Sequence, residues 1–212
     1  MIATIHDKQF LYYARRDGET SLDTAVFRLI DGIYFRFPKQ ARAILRNRIF
    51  YSGTPLVSDC ESIKIAAKRA SKSDTLPDLS KAIDVTFLNP TPTTSEHDRK
   101  ITCSLKTLDG KILFSAVNTG FFTRTRHAEV NLLIQLKDIK ISEPTVFHSS
   151  LKPCAMCAAH ILENSGRLKI VKVTFDQDDP GKWGQNTVLT LGSASRKRYL
   201  INPDALICER TK

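Results

Sequence analysis

Pro153-Cys154-Ala155-Met156-Cys157, taken together with His127-Ala128-Glu129 upstream, is the stretch on which the fold and chemistry of this chain turn. Proline suits the first turn of a helix, because the donor it lacks is one that a helix start leaves unpaired anyway, and its fixed φ matches helix entry. The pattern predicts a helix over 153–164, stopped by Ser165-Gly166. Cys154 and Cys157, three apart, then share one face of the first turn. The positive end of the helix favours their thiolate form there. His127 opens a second predicted helix, 127–137. Side chains at a helix start lean toward the N-terminus, so His127 and Glu129 can both reach a point ahead of it.

Zinc takes imidazole and thiolate readily, and a catalytic zinc site keeps three protein ligands and an open position for water. A carboxylate left unligated beside such a site, here Glu129, is placed for proton transfer. A CxxC alone also serves as a redox pair or as half of a structural zinc site. Redox pairs usually carry proline or glycine between the cysteines, whereas here Pro153 precedes them. A structural zinc needs a fourth protein ligand. His160, six residues past Cys154, falls off the ligand face; Cys103, Cys208 and His148 stay open as candidates.

Outward from this core, 100–107 and 111–118 alternate as strands around Asp109-Gly110, a tight-turn signal, and form a predicted hairpin. Strands are also expected at 145–149, at the Val- and Ile-rich 169–175, and at 187–191. Hairpin, helix, strand, helix, strand is the order of an α/β layer fold, a central mixed sheet flanked by helices. The connections 118–127 and 149–153 then lie on one side of the sheet, where such folds usually carry their sites.

Further upstream, Asn89-Pro90-Thr91-Pro92 and the polar run to Asp98 read as a linker, 89–98, which divides a region 1–88 from a domain 99–212. In the first region Ala25, Leu29 and Ile33 repeat at helical spacing within 21–34, with Ser21 or Asp23 as the cap. Short helices are expected at 40–47 and 61–72 and a strand at 82–88. The expectation is a largely helical N-terminal extension, with 61–72 also able to serve as the first helix of the following domain.

Composition bounds the partners. Of 212 residues, 42% are apolar, enough for a sizeable core, and no apolar stretch approaches a membrane span. The first residues lack the layout of a secretory signal, so a cytoplasmic protein without membrane contact is expected. Five cysteines are too few for a disulfide framework and point to free thiols plus a metal pair. A net charge of +10 favours a polyanionic partner, and also serves solubility.

His127-Ala128-Glu129 and Ser150-Leu151-Lys152-Pro153-Cys154-Ala155-Met156-Cys157-Ala158 resemble the cytidine deaminase superfamily of zinc enzymes over 101–175, closest in motif style to tRNA adenosine deaminases. The resemblance implies a three-layer cytidine deaminase-like fold, Zn2+ held by His127, Cys154 and Cys157, and Glu129 as proton shuttle. It implies that Asn118 contacts the sugar or base of a substrate and that Ala128 lends its backbone. Lys152 stands where the tRNA-deaminase pattern commonly carries an acidic residue. Relatives are often dimers or larger, so the resemblance admits a homodimer. The implied reaction converts an amino-substituted nucleobase to its oxo form with release of ammonia. Its substrate is a base in RNA or DNA or, alternatively, a free nucleoside, nucleotide or base. A catalytically silent zinc-stabilised module is the reading from another class.

Other residues are candidates by position. Phe121 and Phe122 wall the pocket or pack in the core, and Arg124 and Arg126 hold a phosphate or form an exposed basic loop. Trp183 stacks on a base or anchors its own loop. Lys39, Arg42 and Arg46, flanked by Arg36 and Arg48 and interleaved with Phe37, Phe50 and Tyr51, form a nucleic-acid footprint or a solvated helix face.

Overall fold

The computed structural model describes residues 1–16, 18–67, 69–75, 77–86, 93–121, 123–202 and 204–211. They fall into two compact units, one within Met1–Thr91 together with Phe122–Thr125, the other within Pro92–Phe121 and Arg126–Lys212.

In the first unit, β1 (Ile2–His6) and β2 (Leu11–Arg15) pair antiparallel across a turn in which the Asp7 carboxylate accepts from the backbone of Gln9 and Phe10 at 2.8 and 2.7 Å. Helices α1 (Ala25–Arg36) and α2 (Ala41–Ile44) follow, then β3 (Arg48–Tyr51), α3 (Val57–Ala66), β4 (Arg69–Lys72) and the two-residue β5 (Ile83–Asp84). The sheet order is β4-β3-β1-β2-β5, with β1 antiparallel to both neighbours and the two edge pairings parallel. Strand alternation turns Ala3, Ile5, Tyr12, Ala14 and Ile49 into a core shared with Val26, Leu29, Ile30 and Ile33 of α1. Burying each large aliphatic side chain there contributes about 1.5–3 kcal/mol. Gly32 sits where α1 meets the chain beyond β5, and a Cβ at this position would lie 2.5 Å from the Val85 carbonyl oxygen.

This unit corrects the expectation of a largely helical extension. It is a five-stranded sheet with helices, because strands of two to five residues are too short to show their period against neighbouring apolar residues. The predicted helix 61–72 ends at Ala66, and Arg69–Lys72 continues as a strand; α3 packs on α1 within this unit. The cap of α1 is Thr24, whose hydroxyl accepts from Phe27 N at 3.1 Å, rather than Ser21 or Asp23. Asp23 is instead paired with the buried Arg28 at 2.5 Å. The strand expected at 82–88 narrows to Ile83–Asp84, and positions 87–92, which include the start of the linker, lie outside the described residues.

The second unit contains β6 (Thr102–Thr107), β7 (Ile112–Val117), α4 (Ala128–Gln135), β8 (Thr145–Leu151), α5 (Ala155–Asn164), β9 (Ile170–Gln177), α6 (Ala194–Arg198) and β10 (Cys208–Arg210). Its sheet runs β10-β9-β8-β6-β7: the hairpin and β8 are antiparallel, while β8, β9 and β10 are parallel. Gly110 takes φ +91° in the hairpin turn, a conformation glycine adopts without a Cβ penalty. Helix α4 packs on β6, β7 and α5. The α/β class with a mixed sheet and flanking helices thus holds.

The strand expected at 187–191 is a buried turn instead. There Ser193 Oγ donates to Thr187 O at 2.7 Å, and the Thr187 and Thr190 hydroxyls meet at 3.2 Å. Such side chains offer the backbone partners that compete with a ladder. The fifth strand is β10, whose Cys208 N donates to Leu189 O at 2.8 Å. Among the described residues no helix is long and apolar enough to cross a membrane.

Candidate active site

The two β-to-α connections of the second unit bring the candidate ligands together. His127 and Cys154 occupy the cap positions of α4 and α5, each with extended backbone, φ −65° and −67°. His127 Nδ1 lies 3.4 Å from Cys154 Sγ and 3.4 Å from Cys157 Sγ, and the two sulfurs are 3.5 Å apart. Zn–S and Zn–N bonds at tetrahedral angles require edges of about 3.6–3.8 Å, so this triangle is within a few tenths of an ångström of a zinc face. A disulfide is excluded, since its sulfurs stand about 2.05 Å apart, and both cysteines are free.

The three groups are coupled through their protons. The hydrogen bond from Cys157 and the positive His127 hold the Cys154 thiol well below its usual range, against burial. Burial and the neighbouring thiolate push Cys157 well above it. Burial disfavours a charged His127, but the Cys154 thiolate outweighs this and brings it up to about 9.

Glu129 stands in the first turn of α4, 4% exposed. Ser149 Oγ donates to its Oε1 at 3.3 Å, and burial pushes its carboxyl up. Among the described residues, the only His, Cys, Asp or Glu atoms that converge as a ligand group are those of His127, Cys154 and Cys157, and Glu129 is not one of them. Cys103 lies in β6 and Cys208 in β10, while His160 is buried along α5. His148 in β8 contacts Thr174 Oγ1 at 2.9 Å and lies 3.4 Å from the Asp176 carboxylate.

A small cleft of about 50 Å³ opens at this point, bordered by His127, Glu129, Cys154 and the nearly buried Asn118. The exit of β7 is stitched to α4 by Asn131, whose Nδ2 donates to Val117 O and Thr119 Oγ1, both at 2.8 Å. Ala128 is fully buried.

Sequence reasoning missed Arg99, Ile101, Leu151 and Asp179 on the cleft wall, and noted Lys152 there only as a departure from pattern. Asp179 belongs to the turn Asp178-Asp179-Pro180-Gly181 just past β9, and its Oδ1 accepts from Gly181 N at 3.0 Å. A Cβ on Gly184 would collide with the Asp179 side chain, so that glycine lets the carboxylate sit where it does.

Several candidates are placed elsewhere. Arg126 is fully buried, and its carbonyl accepts from Thr119 N at 3.0 Å, so it corrects the expectation of a phosphate-holding side chain at the mouth. Phe121 is half exposed, its ring 5.0 Å from that of His97, and Phe122 lies outside the described residues. Arg124 is exposed and acts on Tyr34, whose hydroxyl burial raises and this guanidinium lowers. Trp183 carries an anchoring contact: its carbonyl accepts from Ala155 N at 2.8 Å at the start of α5, and Lys182 Nζ lies 4.7 Å above its ring. Neither Trp183 nor Phe121 borders the cleft.

A family model, the Bd3614-like deaminases, matches residues 93–199, just over half of the chain and the span that contains every one of these cleft residues. The chain belongs to the Bd3614-like deaminase family. It is thereby a deaminase-family protein of the cytidine deaminase-like superfamily. Among solved structures, one from studies of A-to-I editing by tRNA A34 deaminases at the wobble position is 24% identical, covering 52% of this chain and 82% of that one, with a TM-score of 0.35. The dCMP deaminase of the cyanophage S-TIM5 in complex with dCMP and dUMP is 16% identical, covering 53% and 82%, with a TM-score of 0.34. No curated protein sequence gave a significant match.

Proposed function

We propose that this deaminase is a zinc-dependent hydrolase that converts an amino-substituted base within a polynucleotide to its oxo form, releasing ammonia. The observation that carries the reading is the convergence of His127 Nδ1 and two thiols at 3.4–3.5 Å, with a buried carboxylate beside them that is not part of the ligand group. His127, Cys154 and Cys157 would hold Zn2+, which when bound supplies a Lewis acid able to lower the pKa of water to about 7.

The remaining work falls to the chain's own side chains. Glu129 takes a proton from the attacking water and passes it to the ring nitrogen, then delivers a proton to the departing amine. Water supplies the new carbonyl oxygen, and one ammonia leaves. Ser149 Oγ, 3.3 Å from Glu129 Oε1, orients the carboxylate. Asn118 on the cleft wall offers an amide to the base or its sugar, with the backbone of Ala128 between ligand and shuttle. Arg99 and Lys152 border the same cleft and supply positive charge for a phosphate. The net charge of +10 supports a polynucleotide over a small substrate.

The test is ammonia release from a panel of bases, nucleosides, nucleotides and single-stranded oligonucleotides at several salt concentrations. Glu129→Gln should keep its zinc and lose about 10²–10⁴ in rate. Activity on an oligonucleotide should fall steeply with salt, by a logarithmic slope of about −0.7 for each phosphate contacted. Full activity in Glu129→Gln would end the mechanism, and a salt-independent reaction confined to nucleosides would end the polynucleotide assignment.

A further inference from the structure

The first unit has a sheet face that the proposed chemistry does not use. Ala3, Ile5, Tyr12, Ala14 and Ile49 point into the core with α1, so their alternating neighbours lie on the opposite face. Register places Phe50 and Tyr13 on either side of Thr4 in one row across β3, β1 and β2. With strands about 4.8 Å apart, the two rings are carried about 10 Å from each other. Phe50 is 41% exposed. The Tyr13 hydroxyl is hydrogen-bonded to Asp84, the acidic residue of this row, whose carboxylate also accepts from Thr86 N at 2.8 Å.

A pocket of about 380 Å³ opens on the same face, floored by Thr4, His6, Leu11 and Phe50 and walled by Thr75 and Pro77. That is within the range of about 300–1,000 Å³ for pockets that take small aromatic ligands.

Beside the pocket, on β3 and β4, two basic side chains face each other. Arg48 and Arg69 are opposite each other in register on β3 and β4, both exposed. Like charges so placed are destabilising unless something answers them. Arg48 reaches Ser71 Oγ at 2.6 Å, a neutral partner that leaves the repulsion in place. At the other end, Arg15 lies 5.4 Å from the Tyr13 ring, and there Asp84 answers its charge. An apolar slot with an exposed ring, a second ring two strands away and a facing arginine pair beside it is complementary to unpaired bases linked by phosphates. Base–aromatic stacking supplies sequence-tolerant contact, and arginines neutralise the backbone.

We propose that this face binds a single-stranded polynucleotide, with one base stacked on Phe50 in the pocket and phosphates on Arg48 and Arg69. This deepens the polynucleotide reading of the catalytic cleft by assigning it a second contact surface, and it is tested without catalysis.

The probe is a short fluorescein-labelled oligouridylate, titrated against the full-length Glu129→Gln protein by fluorescence anisotropy. Phe50→Ala should weaken binding by about tenfold, as expected for one lost stacking contact, while Phe50→Trp retains it and Phe50→Leu does not. Removing both Arg48 and Arg69 should reduce the logarithmic salt slope by about 1.4, as for two lost single-strand phosphate contacts. Lys197→Ala/Arg198→Ala in α6 removes the same charge and should leave both quantities unchanged. The proposal is overturned if Phe50→Ala binds like the parent, if Phe50→Leu binds as well as Phe50→Trp, if the α6 variant loses as much as the β3–β4 variant, or if a duplex of equal length binds as tightly. These readouts are independent of whether Glu129→Gln abolishes ammonia release, so failure of the surface and failure of the mechanism are separable.

Discussion

Each unit packs one helix start against another, and the two pairs do opposite things. In the first, Thr24 caps α1 and its hydroxyl also donates to Asp59 in the first turn of α3, while Asp59 accepts from Leu56 N at 2.9 Å. Asp23 and Arg28 lie alongside at 2.5 Å, both almost fully buried. These groups bond one another directly and close on one another. In the second, His127 and Cys154 begin α4 and α5, yet their atoms and Cys157 meet at 3.4–3.5 Å, and His127 and Cys154 border a small cleft of about 50 Å³. Hard oxygen acceptors with matched donors make a clamp. A soft imidazole and two thiols, spaced by sulfur's size, make a site for a cation.

The contrast can be broken from either side. Cys157→Ala should remove the metal and take ammonia release to background, the largest effect, checked by metal analysis of the purified protein together with the release assay. Retention of one zinc per chain would mean the thiol pair is not the ligand set.

In the first unit Asp23→Asn removes the carboxylate that meets the buried Arg28 guanidinium at 2.5 Å. This should cost about 3–5 kcal/mol in denaturant unfolding, with zinc per chain unchanged in the folded protein. A loss of metal there would contradict the division of labour between clamp and site.

A smaller effect is expected along α5. His160 is fully buried, and burial brings its pKa down to about 3. Its folded value lies below the unfolded value of about 6.5, so its neutral form contributes stability above pH 6.5. That contribution is lost as pH falls toward 3, at about 1.4 kcal/mol per unit. Urea unfolding at pH 6.5 and pH 5, at equal zinc loading, should show a loss of about 2 kcal/mol in the parent that is much reduced in His160→Gln. Equal losses in both would place the titrating group elsewhere.

The chemistry of the second unit was legible because helix entry is written locally. Pro153 before Cys154 and the i, i+3 spacing to Cys157 predict a shared face, and Asp109-Gly110 predicts the hairpin that leads to Asn118. Those elements are set by neighbours within a few residues. The cleft wall was less legible. Asp179 comes from a turn after β9, Arg99 from the approach to β6, and both reach the cleft only through sheet pairing. Arg126 misled for a related reason: a basic residue next to a ligand suggests an exposed loop, but the Asn131 side chain ties the β7 exit to α4 and Arg126 is fully buried.

The first unit hid all of its sheet except β5, the strand expected at 82–88. Ile2–His6 is opposite Leu11–Arg15 and Arg48–Tyr51, and only that long-range pairing shows which of its alternating residues are core. The repeating Ala25, Leu29 and Ile33 made the helix obvious, while β1 to β4 stayed unread.

The most direct test of the central claim is zinc X-ray absorption on the purified protein and on Glu129→Gln. The account predicts two sulfurs at about 2.3 Å, one imidazole nitrogen near 2.0 Å and a single further light atom that exchanges with solvent, identical in both proteins. A spectrum showing three or four sulfurs, or one that changes when Glu129 loses its charge, would contradict it.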